Sequence, residues 1–194
     1  MASIRHKKDA VLDATRDCVL AVGVRRTTLT DVARRAGVSR MTIYRRWPDV
    51  QTLVADLMTR EWAGVVSRVA PPDDGSPVRP QAVNALVAGV AELRAHPLFH
   101  KILEVDPEVL LPYILERLGT SQDAMLRAFE ATLRAGHRDG SVRKSHPARQ
   151  ARSVLLVLQS FAMSGHIVAD DDPALSAVAF DDELRQILER YLAP

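Results

Sequence analysis

The sequence predicts an all-α fold, with a small N-terminal helical head followed by a larger helical body. Three observations carry that expectation. Apolar residues recur at helical spacing in one segment after another, without strand-type alternation or an internal repeat. Ala, Leu and Arg abound while Gly occurs 9 times in 194 residues, a composition that favours helix. Pro and Gly clusters fall between the periodic segments and read as their punctuation. At 47% hydrophobic residues the chain has the material for a core, so general disorder is not expected.

The first helix is expected from Lys7 to Val22. Val11, Ala14, Cys18 and Val22 form a stripe, with Leu12, Thr15 and Val19 beside it, and Gly23 stops the helix. Cys18 on that stripe reads as a buried thiol; as the single cysteine it forms no intrachain disulfide, which suits a reducing cytoplasm. Val24-Arg25-Arg26 is a link whose two cations suit a phosphate or free surface equally. Thr28 and Asp31 then have capping-box spacing, and Val32, Ala33 and Ala36 give a small apolar face. Gly37 can take the left-handed conformation that ends such a helix, and Ser39 restarts the chain as an N-cap. Ile43 and Trp47 share one face of the second helix, leaving Arg40, Thr42, Tyr44, Arg45 and Arg46 for the others. Two short helices around a Gly-containing turn, the second bearing donors and cations, is the helix-turn-helix design. Pro48 ends it, which sets a head of residues 1–48 and a body of residues 49–194.

Asp49 caps a long helix expected from Val50 to Val69, with Val50, Leu53, Leu57, Trp62, Val65, Val66 and Val69 as its apolar positions. Ala70 to Pro77 is a loop by composition. Further helices are expected over Gln81–Ala95 (Val83, Leu86, Val90, Leu93), Pro97–Leu103, Pro107–Leu118 (Leu110, Leu111, Ile114, Leu118) and Asp123–Gly136 (Met125, Phe129, Leu133). From Pro147 to Ala169 a helix is apolar most of the way round, and the last, Asp181–Leu192, presents Leu184, Ile187, Leu188 and Tyr191. The apolar faces of these last two exceed what one partner helix would cover.

Thr27-Thr28, Asp31-Val32-Ala33, Ala36-Gly37-Val38-Ser39, Thr42-Ile43-Tyr44 and Trp47 together resemble the DNA-binding domain of TetR-type transcriptional regulators. That family's pattern is a Thr pair, Asp-Ile-Ala, Ala-Gly-Val-Ser, Thr-Leu-Tyr and a Phe three residues later. The order and gaps match over roughly the first quarter of the chain. The resemblance implies a three-helix DNA-binding domain followed by a helical ligand-binding and dimerisation domain. It implies a homodimer formed through the two C-terminal helices, a double-stranded DNA operator as partner, and a small-molecule effector enclosed by the body. Met58, Trp62, Phe99, Tyr113, Met125, Phe129, Phe161 and His166 are candidate effector linings, each also explicable as ordinary core.

Within the head, Arg40 and Arg45 are candidate base readers, because Arg is the side chain best shaped to pair with guanine. Thr42, Tyr44 and Arg46 are assigned to phosphates, with Thr28 adding a contact at its helix start and Ser39 and Met41 flanking the reading surface. Met41 stands where the family commonly has a small residue or Pro, and either meets a thymine methyl or is plain surface. Val50 stands where relatives usually carry a Lys, so that phosphate anchor is absent or moved to Arg45 or Arg46.

The charge supports the head. Residues 1–47 hold eleven Lys or Arg and four Asp, a formal +7, leaving −5 for the rest of a chain whose net charge is +2. No catalytic constellation is read, no cofactor is implied, and no metal site is expected: His96 and His100 straddle Pro97 with no Cys or acidic cluster beside them. His166 with Asp170-Asp171-Asp172 reads as a helix end and loop. The start lacks an apolar run after its positive charges, so a signal peptide is not expected; nor does any stretch approach the roughly 18 uncharged apolar residues of a membrane span. The function expected is a cytoplasmic, dimeric, ligand-released repressor. A regulator without effector, or an activator, stays open, as does a small-molecule-binding or enzymatic helical protein with a vestigial head, which Val50 favours and the +7 head disfavours.

Overall fold

The computed structural model describes residues 2–71 and 74–194, with side chains from His6 onward. Pro72 and Asp73 of the expected loop lie outside the described residues. Among the described residues every regular element is helical: α1 Ala2–Val22, α2 Leu29–Arg35, α3 Arg40–Tyr44, α4 Val50–Val69, α5 Val78–Ala95, α6 Pro97–Val105, α7 Leu111–Leu115, α8 Thr120–Asp139, α9 Pro147–Val168 and α10 Ala177–Leu192, with 3-10 turns at Pro107–Val109 and Pro173–Leu175. The chain divides into two compact units, one of Met1–Ala63 with His96–Gly119, the other of Gly64–Ala95 with Thr120–Pro194.

In the first unit α1 packs on both α2 and α6, and α2 packs on α3. With two partners, the buried face of α1 keeps most of the expected stripe and its flank but loses the C-terminal end. Val11, Leu12, Ala14, Thr15 and Val19 are buried, whereas Val22 is exposed and Cys18 only half-buried. Partial burial still pushes the Cys18 thiol up, because the thiolate would lose hydration. The Thr15 hydroxyl is accommodated in this core by donating to the Val11 carbonyl at 2.7 Å. Leu98 and Ile102 of α6 are fully buried in the same unit.

The turn after α1 is locked from a distant part of the chain. Gly23 adopts φ +85°, and the buried Asp106 carboxylate accepts the Val24 N–H at 2.6 Å. The Thr27 hydroxyl closes the turn on the Gly23 carbonyl at 2.7 Å. A Cβ on Gly23 would lie 2.5 Å from Asp106 Oδ2 and 3.0 Å from Val105 Cγ1.

The single helix expected over Pro107–Leu118 is broken into the 3-10 turn Pro107–Val109 and the five-residue α7. Pro107 and Pro112 lack the N–H that a continuous ladder requires. The Arg117 N–H instead folds back on the Pro112 carbonyl at 2.9 Å. Of the four apolar positions assigned to that helix, Leu110 is buried and Leu111, Ile114 and Leu118 are exposed.

In the second unit α5, α8, α9 and α10 pack on one another. Val83, Val87, Val90, Leu126, Leu133, Val154, Ala162, Leu184, Leu188 and Leu192 form its core. α5 and α10 start earlier than the periodicity suggests, because polar caps extend them past the apolar run. Asp139 Oδ2 accepts the Val78 N–H at 2.9 Å at the start of α5, and Ser176 Oγ accepts the Ala179 N–H at 3.3 Å at the start of α10. The Ser141 hydrogen bonds and the Val78 N–H hold the Asp139 carboxyl below its usual range. Arg94 grips Asp181 with one nitrogen 2.7 and 2.8 Å from its two oxygens, joining α5 to α10.

α9 corrects one expectation. By length and composition it is apolar enough to cross a membrane, although the sequence reading found no such stretch. Here it contacts α5, α8 and α10, and buries the polar Gln150 side chain, whose Oε1 accepts from His137 Nε2 (2.9 Å) and whose Nε2 donates to the Arg143 carbonyl (3.2 Å).

Replacing Gly23 with Ala forces a left-handed backbone on an L side chain, at about 1–2 kcal/mol, and drives a methyl into Asp106. Chemical denaturation should show the Gly23→Ala variant less stable by about 2 kcal/mol or more; unchanged stability contradicts this packing.

Candidate nucleic-acid interface

The helix-turn-helix is built by caps and two buried anchors. Thr28 Oγ1 accepts the Asp31 N–H at 3.1 Å and donates to Asp31 Oδ2 at 2.6 Å. The acid therefore braces the capping hydroxyl itself, the shorter Asp standing in for the Glu of a usual capping box. α2 buries Leu29, Val32 and Ala33. Gly37 follows at φ +65° with open space around its missing Cβ, so conformation alone calls for glycine there. Ser39 Oγ then accepts the Thr42 N–H at 3.2 Å and shares a 2.8 Å hydrogen bond with Thr42 Oγ1. Each such cap contributes about 1 kcal/mol.

α3 is shorter than the Ser39–Trp47 reading. It is regular over Arg40–Tyr44, and the Arg46 and Trp47 N–H groups then both close on the Ile43 carbonyl, at 2.9 and 2.8 Å. Ile43 is fully buried and Trp47 nearly so. The Trp47 indole N–H donates to Asp56 Oδ2 of α4 at 3.1 Å, and Lys8 of α1 pairs with the same oxygen at 3.2 Å. One carboxylate thus ties α1, the end of the reading segment and α4 together. Asp49 caps α4 by accepting the Thr52 N–H at 2.7 Å, which keeps its carboxyl below the usual range.

The opposite face of α3 is open. Met41 is 76% and Tyr44 50% exposed; Arg40, Arg45, Arg46, Thr28 and Ser39 are exposed and Thr42 is half-buried. Arg46 lies over the Trp47 ring, 5.2 Å from its centroid. Arg34 and Arg35 pair with Asp31 (2.8 Å) and Asp17 (3.0 Å). Among the described residues Arg40 and Arg45 have no ion-pair partner. The surface therefore offers uncommitted guanidiniums, hydroxyls and a methionine methyl, which is chemistry for phosphates and base edges.

The candidate effector residues are distributed over both units. In the first, Met58 and Phe99 are buried, and Trp62 is half-buried with Phe99 edge-on at 5.8 Å and His96 edge-on at 5.3 Å. Tyr113 is half-buried, with the Arg117 guanidinium 5.0 Å from its ring centre. In the second, Phe129 and Phe161 pack against the core, Met125 is half-buried, and His166 is exposed in the last turn of α9.

Sequence reasoning missed Asp56 and Lys8, whose roles depend on contacts between helices. A carboxylate one turn and a half into a helix after a buried Trp was the available signal.

Residues 11–57 match the family model described as bacterial regulatory proteins, tetR family. A curated relative, an uncharacterised HTH-type transcriptional regulator of Mycobacterium bovis, is 41% identical over 182 residues, 94% of this chain and 92% of the relative. Among solved structures, the TetR-family transcriptional repressor QsdR of R. erythropolis superposes with TM-score 0.70 at 11% identity, covering 98% of this chain and 97% of that one. The SmeT–triclosan complex superposes with TM-score 0.65 at 19% identity, covering 97% and 92%.

Proposed function

The chain belongs to the TetR family of bacterial transcriptional regulators, and from that premise we propose that it is a homodimeric repressor that binds a palindromic operator and is released by a small-molecule effector. The observation that carries the DNA reading is the two-sided α3. Ile43 and Trp47 hold one side in the core while Arg40, Met41, Thr42, Tyr44, Arg45 and Arg46 stand on the surface. Arg40 and Arg45 read bases; Thr42, Tyr44, Arg46 and Thr28 hold phosphates, with Ser39 positioning Thr42. Arg46 takes over the anchoring that a Lys at the position of Val50 would provide, its guanidinium oriented by the Trp47 ring. The boundary between head (1–48) and body (49–194) follows the end of this reading segment.

Dimerisation is supported by the apolar surface of the last two helices. Leu156 and Ile167 of α9 are 69% and 72% exposed, and Val178 and Ile187 of α10 are 70% and 41% exposed. A cavity of about 70 Å³ lined by Val154, Val157, Ile187, Leu188, Tyr191 and Ser153 opens between α9 and α10. A protruding side chain of a second copy would fill it, and isologous pairing would bring two reading heads to two half-sites. The effector reading is supported by the fold shared with a regulator solved in complex with triclosan. Met58, Trp62, Phe99, Tyr113, Met125, Phe129, Phe161 and His166 are the residues assigned to it. Release requires the effector to prefer the form that does not fit DNA. A cytoplasmic site of action follows from this function.

Binding titrations on operator and scrambled duplexes test the head. Tyr44→Phe and Arg46→Ala should weaken both by the same factor. Arg40→Ala should lose about 1–3 kcal/mol on the operator alone; equal loss on both duplexes removes Arg40 from base reading. For the assembly, sedimentation should find a dimer that Leu156→Glu converts to a folded monomer. A wild-type monomer at micromolar concentration contradicts the proposal.

A further inference from the structure

Arg25 sits in the turn between α1 and α2, three residues before the Thr28 cap, and is 75% exposed at its side chain. Its guanidinium lies 3.4 Å from Glu108 Oε1, whose side chain is 48% exposed. This ion pair is not a chance meeting of two flexible chains. Asp106, 2% exposed, binds the Val24 N–H, and Gly23 sits against Val105 and Asp106. Pro107 then fixes the backbone leading into Glu108. The corner 105–108 therefore holds a carboxylate in front of a cation on the most basic part of the chain.

We propose that Arg25 is a DNA-phosphate contact held in reserve, with Glu108 occupying its guanidinium in the free protein as a phosphate would, so that duplex binding exchanges one anion for the other. The inference rests on the DNA-binding reading of the head. Arg suits either partner, since its fork matches carboxylate and phosphate alike. An exposed ion pair is worth little in water and is screened by salt, so it yields readily. A duplex phosphate offers in addition the release of condensed counterions. Arg26 beside it is exposed and, among the described residues, has no ion-pair partner, so the turn presents charge to a polyanion even while Arg25 is held. Glu108 thus tunes affinity for all sequences equally and carries no base information.

The test is a salt series of anisotropy titrations on a mixed-sequence duplex, with wild type, Glu108→Gln, Arg25→Gln and the double variant. Both side chains are well exposed, and unfolding curves should coincide for all four proteins. Glu108→Gln is expected to bind several-fold tighter. Arg25→Gln is expected to bind more weakly, with the slope of log affinity against log salt reduced by about 1. In the Arg25→Gln background, Glu108→Gln is expected to gain little. If Glu108→Gln gains equally in both backgrounds, the effect is general charge and the exchange is overturned. If Glu108→Gln binds like wild type, or Arg25→Gln keeps the wild-type slope, it is overturned with the DNA-binding reading intact. If wild type shows no salt-sensitive binding to any duplex, the DNA-binding reading falls and the exchange falls with it.

Discussion

The hydrogen bond from the Trp47 indole to Asp56, together with the buried Ile43, is the constraint on which the reading surface depends. A five-residue helix has no stability of its own, because the cost of nucleation is spread over too few hydrogen bonds. α3 exists only as part of the packed unit, and its outward face is defined by what its inward face holds. Ile43 sets the rotation of the helix. Trp47 sets its far end, and Asp56 sets Trp47. Lys8 reaches the same carboxylate, so α1 shares in the arrangement. The exposed Arg40, Tyr44 and Arg45 are thereby placed while their own side chains stay uncommitted to the fold.

A second level of organisation lies at the corner around Asp106. A buried carboxylate that accepts one backbone N–H joins the α1–α2 turn to a segment 82 residues later. The turn's left-handed glycine and the neighbouring Arg25–Glu108 pair belong to this contact. The head therefore packs within a unit larger than the first three helices. Its compact unit includes α6 and α7, and a shift in that later segment would be felt at the start of α2. In the second unit the packing is of a different kind, four helices around an aliphatic core with the outer faces of α9 and α10 left apolar. Exposed apolar side chains on two adjacent helices are costly in water, which is the observation behind the proposed dimer.

Local chemistry was the legible part of the sequence. The caps at Thr28, Ser39 and Asp49, the left-handed Gly37 and the limits of α4 all follow from residue types at short spacing, and the structure places them as read. Periodicity failed where more than one partner competes for a helix. On α1, Val11 and Ala14 of the expected stripe and Leu12, Thr15 and Val19 beside it are buried, but packing against α2 and α6 leaves Cys18 half-buried and Val22 exposed. It failed again over 107–118, where two prolines interrupt an otherwise apolar helical pattern. Asp106 and Glu108 were illegible because their partners in the α1–α2 turn are distant in sequence, and an acid beside a Pro in a loop gives no sign of what it will meet. The candidate effector residues are spread along the body in sequence; the structure sets Trp62 against Phe99 and places Phe129 and Phe161 beside the second core, a pattern that aromatic content alone does not specify.

The central claim is that two copies of this head read one operator together. Recovering genomic fragments retained by the purified protein at moderate salt, and sequencing them, tests it most directly. The account predicts enrichment of one pseudo-palindromic motif whose half-site centres lie about one helical turn, 34–36 Å, or a multiple of it apart. Retained fragments sharing no motif, or a motif with a single half-site and no two-fold symmetry, would contradict it.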